Sequence, residues 1–189
     1  MELITKLHNR KSQHYYEIKK AVLSSNIPWN YFEQATPNTV VSKSVENYND
    51  YEDSPFMSHE VLIRPNPHDD LWFPEPSRPS VDFIIPFLKE ICEDNKIKVN
   101  SFMRINLNTN FPTKFNKLTI PHLDHQFPHK NIIVYFTDAG GETVVYDENR
   151  NAFSHFPEED DIITFGGEYL HCIRPPKEKR RIVLVATYI

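Results

Sequence analysis

The chain has 189 residues, the size of a single domain that can bury a real core, and is 39% hydrophobic and 25% charged. Its 21 Lys+Arg against 26 Asp+Glu leave a net charge of −5, which excludes a broad cationic surface for non-specific nucleic-acid binding, while the hydrophobic content excludes intrinsic disorder. No apolar run reaches the roughly 20 residues that span a bilayer, and the opening residues Met1 to His8 lack a long apolar stretch, so the expectation is a soluble cytoplasmic protein. Only Cys92 and Cys172 are present, which excludes a disulfide framework and a Cys-rich zinc site. Any metal must be held by His and carboxylate.

From Ser12 to Ser24 the pattern predicts a helix with Ser12 as N-cap and Tyr15, Ile18 and Val22 on its buried side. Residues 50–80 carry Pro55, Pro65, Pro67, Pro74, Pro76 and Pro79, which remove backbone donors and predict a wrapping loop with at most short edge strands. A second helix is expected between Ser80 and Asn95, with Ile84, Phe87, Leu88, Ile91 and Cys92 at helical spacing and a regular start near Pro86.

After Asn95 the period falls to about two. In the segment 101–107, Ser101, Met103, Ile105 and Leu107 share one strand face, with Phe102, Arg104 and Asn106 on the other. Further strands are expected at Asn131–Thr137, Glu142–Asp147, Asn151–Phe156, Asp161–Phe165, Leu170–Ile173 and Arg181–Ile189. Many short strands at this spacing predict a mainly β sandwich, barrel or jelly roll. The organisation expected is an N-terminal helical and Pro-rich segment, 1–99, packed on a β core, 100–189, as one compact unit.

Nine histidines and 26 acids predict about one His-x-Asp/Glu match by chance, and two occur. His68-Asp69-Asp70 falls in the Pro-rich segment, where solvated polar residues are the simpler reading. His122-Leu123-Asp124 precedes the run of strands, and His171 follows 47 positions after Asp124. In an extended segment, residues i and i+2 share a face, so His122 and Asp124 project together. With His171 from a neighbouring strand they make a 2-His-1-carboxylate set, which leaves three positions of an octahedral Fe(II) open but also suits Zn(II) or Mn(II). Two surface histidines with no ligand role are the competing reading.

The order of parts around this set is more specific. His122-x-Asp124, Val134-Tyr135-Phe136-Thr137-Asp138-Ala139-Gly140-Gly141-Glu142-Thr143, Asp161 to Phe165, His171, Pro175-Pro176 and a basic residue opening the last strand follow one another. This order resembles the 2-oxoglutarate/Fe(II) dioxygenases, and within them the prolyl 4-hydroxylase-like group, including the small hydroxylases of tailed phages. The resemblance covers about Asn100 to Ile189. It implies a double-stranded β-helix, a jelly roll with the N-terminal helices outside. It also implies Fe(II) on His122, Asp124 and His171, and 2-oxoglutarate anchored by a bidentate Arg.

Strand register selects Arg181 over Arg180 for that role, since a one-residue slip exchanges the faces. The resemblance adds Tyr135, whose hydroxyl would reach the same carboxylate, and Asn131 four positions earlier on the same strand face is a further candidate. Gly140 and Gly141 would permit unusual φ and close backbone approach. Cys172 should point away from the metal, and Arg104 and Asn106 either line the pocket or face solvent.

The implied activity is oxygenation with dioxygen and 2-oxoglutarate as co-substrates and release of succinate and carbon dioxide. A second Arg beyond Arg181, as used in alkylated-base repair, has no counterpart before Ile189. A peptide or metabolite substrate is therefore expected over nucleic acid, with action in a host cytoplasm if the source is a phage. The rival reading is a non-catalytic, cupin-like metal- or ligand-binding jelly roll. A zinc hydrolase would need a general base that the sequence does not display.

Overall fold

The computed structural model describes residues 2–34, 51–52, 54–66, 72–77, 79–114 and 116–189. His68, Asp69 and Asp70 lie outside them. In chain order the elements are β1 (Thr5–Lys6), α1 (Gln13–Leu23), β2 (Asn30–Phe32), β3 (Phe56–Ile63), β4 (Glu75–Pro76), α2 (Val81–Asp94), β5 (Phe102–Asn110), β6 (Lys130–Tyr135), β7 (Thr143–Tyr146), β8 (Ala152–His155), β9 (Ile162–Gly166), β10 (His171–Ile173) and β11 (Arg181–Tyr188). A large sheet runs β1-β9-β6-β11-β5-β3-β2 with β4 beside β3, and a small one runs β10-β7-β8. Every pairing between named strands is antiparallel.

Period two sorts the strand residues into two cores. On the outer face of the large sheet, Ile132 and Val134 of β6, Ile182, Leu184 and Ala186 of β11, and Ile105 and Leu107 of β5 pack under α1 and α2. On the inner face, Ile133, Tyr135, Ile163, Phe165 and Val183 meet Val145 of the small sheet. The helices therefore seal one side of the sheet and leave the other to form a cavity between the two sheets.

Helix α1 starts as the sequence predicts: the Ser12 hydroxyl accepts from the Tyr15 amide, and Tyr15, Ile18 and Val22 are buried. Helix α2 begins at Val81, and Pro86 lies inside it rather than near its start. The proline sits on the exposed side of α2 with Asp82, so only one solvent-side backbone hydrogen bond is forfeited while Ile84, Phe87, Leu88, Ile91 and Cys92 face the sheet.

The Pro-rich segment departs from the expectation of a wrapping loop. Between Pro55 and Pro65 lies the eight-residue strand β3, paired along β5 with Val61 and Leu62 in the core. The prolines stop this strand at both ends but none lies within it, so the ladder is intact. Residues before 100 thus supply four strands of the large sheet as well as its helical cover.

The face assigned to Phe102 is also corrected. Against β11, Arg104 pairs with Thr187 but Phe102 with Tyr188, so Met103 is an extra residue and the alternation slips there. Phe102 consequently joins Ile105 and Leu107 in the outer core. Beyond the bulge, Arg104, Asn106, Asn108 and Asn110 all occupy the inner face.

Candidate metal centre

Residues His122 and Asp124 follow the loop after β5 and are held by one antiparallel bridge, in which His122 N–H donates to the His171 carbonyl (3.0 Å) and His171 N–H to the His122 carbonyl (3.1 Å). This bridge fixes the motif against β10 and brings the three side chains together. One ligating atom from each of His122, Asp124 and His171 lies within 4.8 Å of the others, with His171 Nε2 3.4 Å from Asp124 Oδ2. Each histidine ring is oriented through Nδ1, facing the Ile120 carbonyl for His122 (3.1 Å) and the Tyr169 carbonyl for His171 (3.4 Å). Cys172 points to the opposite side, buried beneath Tyr146.

The electrostatics suit a cation. Burial, reinforced by the neighbouring His171, lowers the pKa of His122 to about 4 and keeps its imidazole neutral. Burial alone would raise Asp124, but the Arg104 guanidinium and then His171 outweigh it and hold the carboxyl well below its usual range. A neutral imidazole and an ionised carboxylate are the states that bind metal. Asp124 Oδ2 is buried with no hydrogen-bond partner while it faces the two imidazoles. An orphaned buried carboxylate oxygen is costly unless an ion satisfies it, so these residues fit a divalent metal.

The three side chains border a cavity of about 100 Å³ whose far end holds Arg181 and Thr143, with Asn108 and Asn110 along the β5 wall and Val183 and Val185 along β11. Arg181 is 3% exposed; its Nη2 donates to Thr143 Oγ1 (3.0 Å), its Nε has no partner, and its guanidinium carbon lies 5.2 Å from the Tyr135 ring centre. No carboxylate among the described residues pairs with it. Arg180, by contrast, is exposed, and its carbonyl accepts from Thr137. Tyr135 is fully buried and shares Thr143 Oγ1 with Arg181, at 2.7 Å from its own hydroxyl.

The structure does not bring Asn131 to this end. It pairs with Thr187, six residues along β11 from Arg181, a separation of about 20 Å at the rise of a strand. Because β6 and β11 are antiparallel, stepping back from Tyr135 to Asn131 moves toward the metal end and away from Arg181. Its buried amide has no hydrogen-bond partner there.

The turn that delivers Thr143 depends on glycine. Gly140 and Gly141 have φ of 65° and 78°, and a Cβ on Gly141 would lie 2.4 Å from the Arg174 carbonyl oxygen. Thr143, Asn108, Asn110 and Thr119 are the polar cavity residues to which the sequence assigns no role. Arg104 and Asn106 do face inward, and Arg104 reaches Asp124 directly.

No family model and no curated protein matches this sequence. Solved structures do match the fold across the whole chain. The chain is similar to an oxidoreductase of the 2OG-Fe(II) oxygenase family from Burkholderia pseudomallei, with a TM-score of 0.74 at 13% identity over 98% of this chain and 84% of that one. This chain has the jelly-roll fold of the 2-oxoglutarate/Fe(II) oxygenases.

Two further structures sharing this fold are a Trichoplax adhaerens prolyl hydroxylase in complex with a hypoxia inducible factor peptide fragment and a full-length Neurospora crassa protein in complex with α-ketoglutarate. The first has a TM-score of 0.58 at 13% identity, over 99% of this chain and 83% of that one. The second has a TM-score of 0.56 at 11% identity, over 98% and 74%. Among the described residues no helix is long and apolar enough to cross a membrane.

Proposed function

We propose that the protein is an Fe(II)- and 2-oxoglutarate-dependent oxygenase that hydroxylates a substrate reaching the metal end of the cavity. One observation carries the reading: a largely buried His-Asp-His set and a buried, carboxylate-free Arg181 border the two ends of one small cavity. Such a cation is expensive to bury alone, and a dicarboxylate that spans the cavity would satisfy Arg181 at one end and the metal at the other.

In this reading His122, Asp124 and His171 hold Fe(II), which with 2-oxoglutarate and dioxygen supplies the oxidative decarboxylation to succinate and carbon dioxide and the hydroxylating power. The chain's own residues do the rest. Arg181 takes the distal carboxylate in a fork, Thr143 and Tyr135 hold that guanidinium in place, and Val183, Val185 and Ile133 line the path with apolar surface. The low pKa of His122 keeps its imidazole neutral and the lowered pKa of Asp124 keeps its carboxylate ionised, so neither needs to lose a proton to bind metal near neutral pH. Asn131 takes no part in anchoring 2-oxoglutarate.

For the primary substrate, a peptide or small metabolite is favoured over nucleic acid, since the net charge of −5 opposes a polyanion. The peptide bound in the Trichoplax neighbour adds support for that class. The resemblance of the motif order to that of small phage hydroxylases is the basis on which we infer a phage source and action in a host cytoplasm.

The test is turnover in the absence of a primary substrate. Wild-type protein with Fe(II), 2-oxoglutarate and dioxygen is expected to form succinate slowly, and His122→Ala and Asp124→Ala to form none. Equal succinate from wild type and both variants would overturn the assignment.

A further inference from the structure

Asp124 is gripped more firmly than a metal ligand requires. Its Oδ1 accepts from Arg104 Nη1 while Oδ2 faces the two histidines without a partner. Arg104 is itself anchored: with the Asn106 amide turned oxygen-first, that oxygen accepts from Arg104 Nε (3.3 Å) and Nη2 (3.1 Å), and the amide nitrogen donates to the Ile105 carbonyl (2.8 Å). A second arginine, Arg64 just beyond β3, donates from Nη1 to the Asp124 main-chain carbonyl (2.9 Å). Side chain and backbone of this one residue are therefore both tied, by cations reaching from two adjacent strands of the large sheet.

The arrangement is electrostatically costly. Arg104 is the main cause that lowers the pKa of Arg64 to about 10, and a fixed cation beside the carboxylate also repels a metal dication. Neutral donors could have held the backbone at a smaller penalty. What an arginine does here that they could not is occupy one named oxygen rigidly, because its planar fork is braced by Asn106 on two nitrogens and presents the third to Oδ1. A free carboxylate binds a metal through one oxygen or two, and the terminal torsion of Asp is soft, so nothing in the ligand itself selects between them.

We propose that Arg104 is a positioning residue that commits Asp124 to one-oxygen ligation, holding Oδ1 away so that three of the six metal positions stay open. The inference rests on the metal centre proposed above and adds to it the reason that the open positions exist. Two of them are needed for a chelating co-substrate and one for dioxygen, so a second carboxylate oxygen on the metal would remove the last.

The probe is Mn(II) alone, with water proton relaxation read on the metal-loaded protein and free Mn(II) quantified by its electron spin resonance. Wild type is expected to show three metal-bound waters. Arg104→Met, which keeps the apolar stem and removes every donor, is expected to show about two, a fall of about one third in relaxivity, with Mn(II) still bound. Arg104→Lys, which restores one donor and the charge, is expected to recover most of the loss. Should Arg104→Met not fold, Asn106→Ala removes the brace alone and should still lower the relaxivity. Folded variants that bind Mn(II) with wild-type relaxivity would overturn the positioning role and leave the metal centre standing. Failure of wild type itself to bind Mn(II) would overturn the metal centre instead.

Discussion

The two faces of strand β11 show how one stretch of sequence serves two ends. Ile182, Leu184 and Ala186 point outward into the core under α1 and α2, all essentially inaccessible to solvent. Arg181, Val183 and Val185, interleaved with them, line the cavity, where Arg181 is nearly as buried as its apolar neighbours and carries a charge with no carboxylate partner. The outer face is optimised for burial, which is worth about 1.5–3 kcal/mol for each large apolar side chain. The inner face gives up some of that stability to keep polar groups in a place where only a ligand can satisfy them. Stability and function are thus separated by a single residue of register, and each can be perturbed without the other.

The largest separation should come from the metal end. Removing a ligand as in His171→Ala is expected to lower succinate formation at least about a thousandfold, roughly 4 kcal/mol of transition-state stabilisation, while thermal unfolding of the metal-free protein changes little. The mirror experiment on the outer face is Leu184→Ala. A fully buried Leu truncated to Ala should cost about 2–5 kcal/mol in urea unfolding, yet Mn(II) affinity of the folded protein should stay within about twofold of wild type. If both variants lost metal binding and stability together, the two faces would not be independent.

Arg181→Met sharpens the contrast because its two effects have opposite signs. Loss of a charge-assisted fork should weaken 2-oxoglutarate binding about a hundredfold, about 3 kcal/mol, whereas removing a buried cation without a counter-charge should leave the ligand-free protein as stable or more so. Isothermal titration and thermal unfolding of the same sample read both.

A smaller effect should appear on the helix side at low pH. Burial would raise Asp160, but hydrogen bonds from Lys11, Lys19 and Tyr15 overcome it and lower its pKa to about 2 from the usual 3.8. A depressed carboxylate adds stability above its unfolded pKa that is lost as pH falls through the folded one. Stability should therefore drop between about pH 4 and 2 by about 2 kcal/mol, and Asp160→Asn should flatten that part of the profile. Because this cluster ties α1 to the chain before β9, Asp160→Asn should leave Mn(II) binding at the inner face unchanged at neutral pH.

The parts of the site legible in the sequence were those carried by local spacing. His122 and Asp124 are two residues apart, and the resemblance to the dioxygenases' final strand, with the alternation of that strand, separates Arg181 from Arg180. Helix α1 was equally legible, because its cap and its apolar positions lie within one window. Strand β3 was hidden because the density of prolines around it masked the fact that none falls between Phe56 and Ile63. Strict alternation puts Phe102 on the wrong face because the bulge at Met103 depends on how β5 meets β11, which no window along β5 contains.

The same reason explains the rest of the cavity. Thr143 and Asn108 join Arg181 and the His122, Asp124 and His171 cluster around one cavity only through pairings between strands distant in sequence. Asn131 could be separated from Arg181 only once β6 and β11 were in register. For Arg104 the strand alternation leaves pocket and solvent as equal choices, and its grip on Asp124 lies outside any local pattern.

That the two ends of the cavity hold one ligand between them is tested most directly by anaerobic titration of the metal-free protein with Fe(II), with and without 2-oxoglutarate, in wild type and Arg181→Met. The expected result is a weak visible charge-transfer band that needs both components and fades in the variant at the same 2-oxoglutarate concentration. Fe(II) binding with no such band in wild type, or a band of equal strength in the variant, would contradict it.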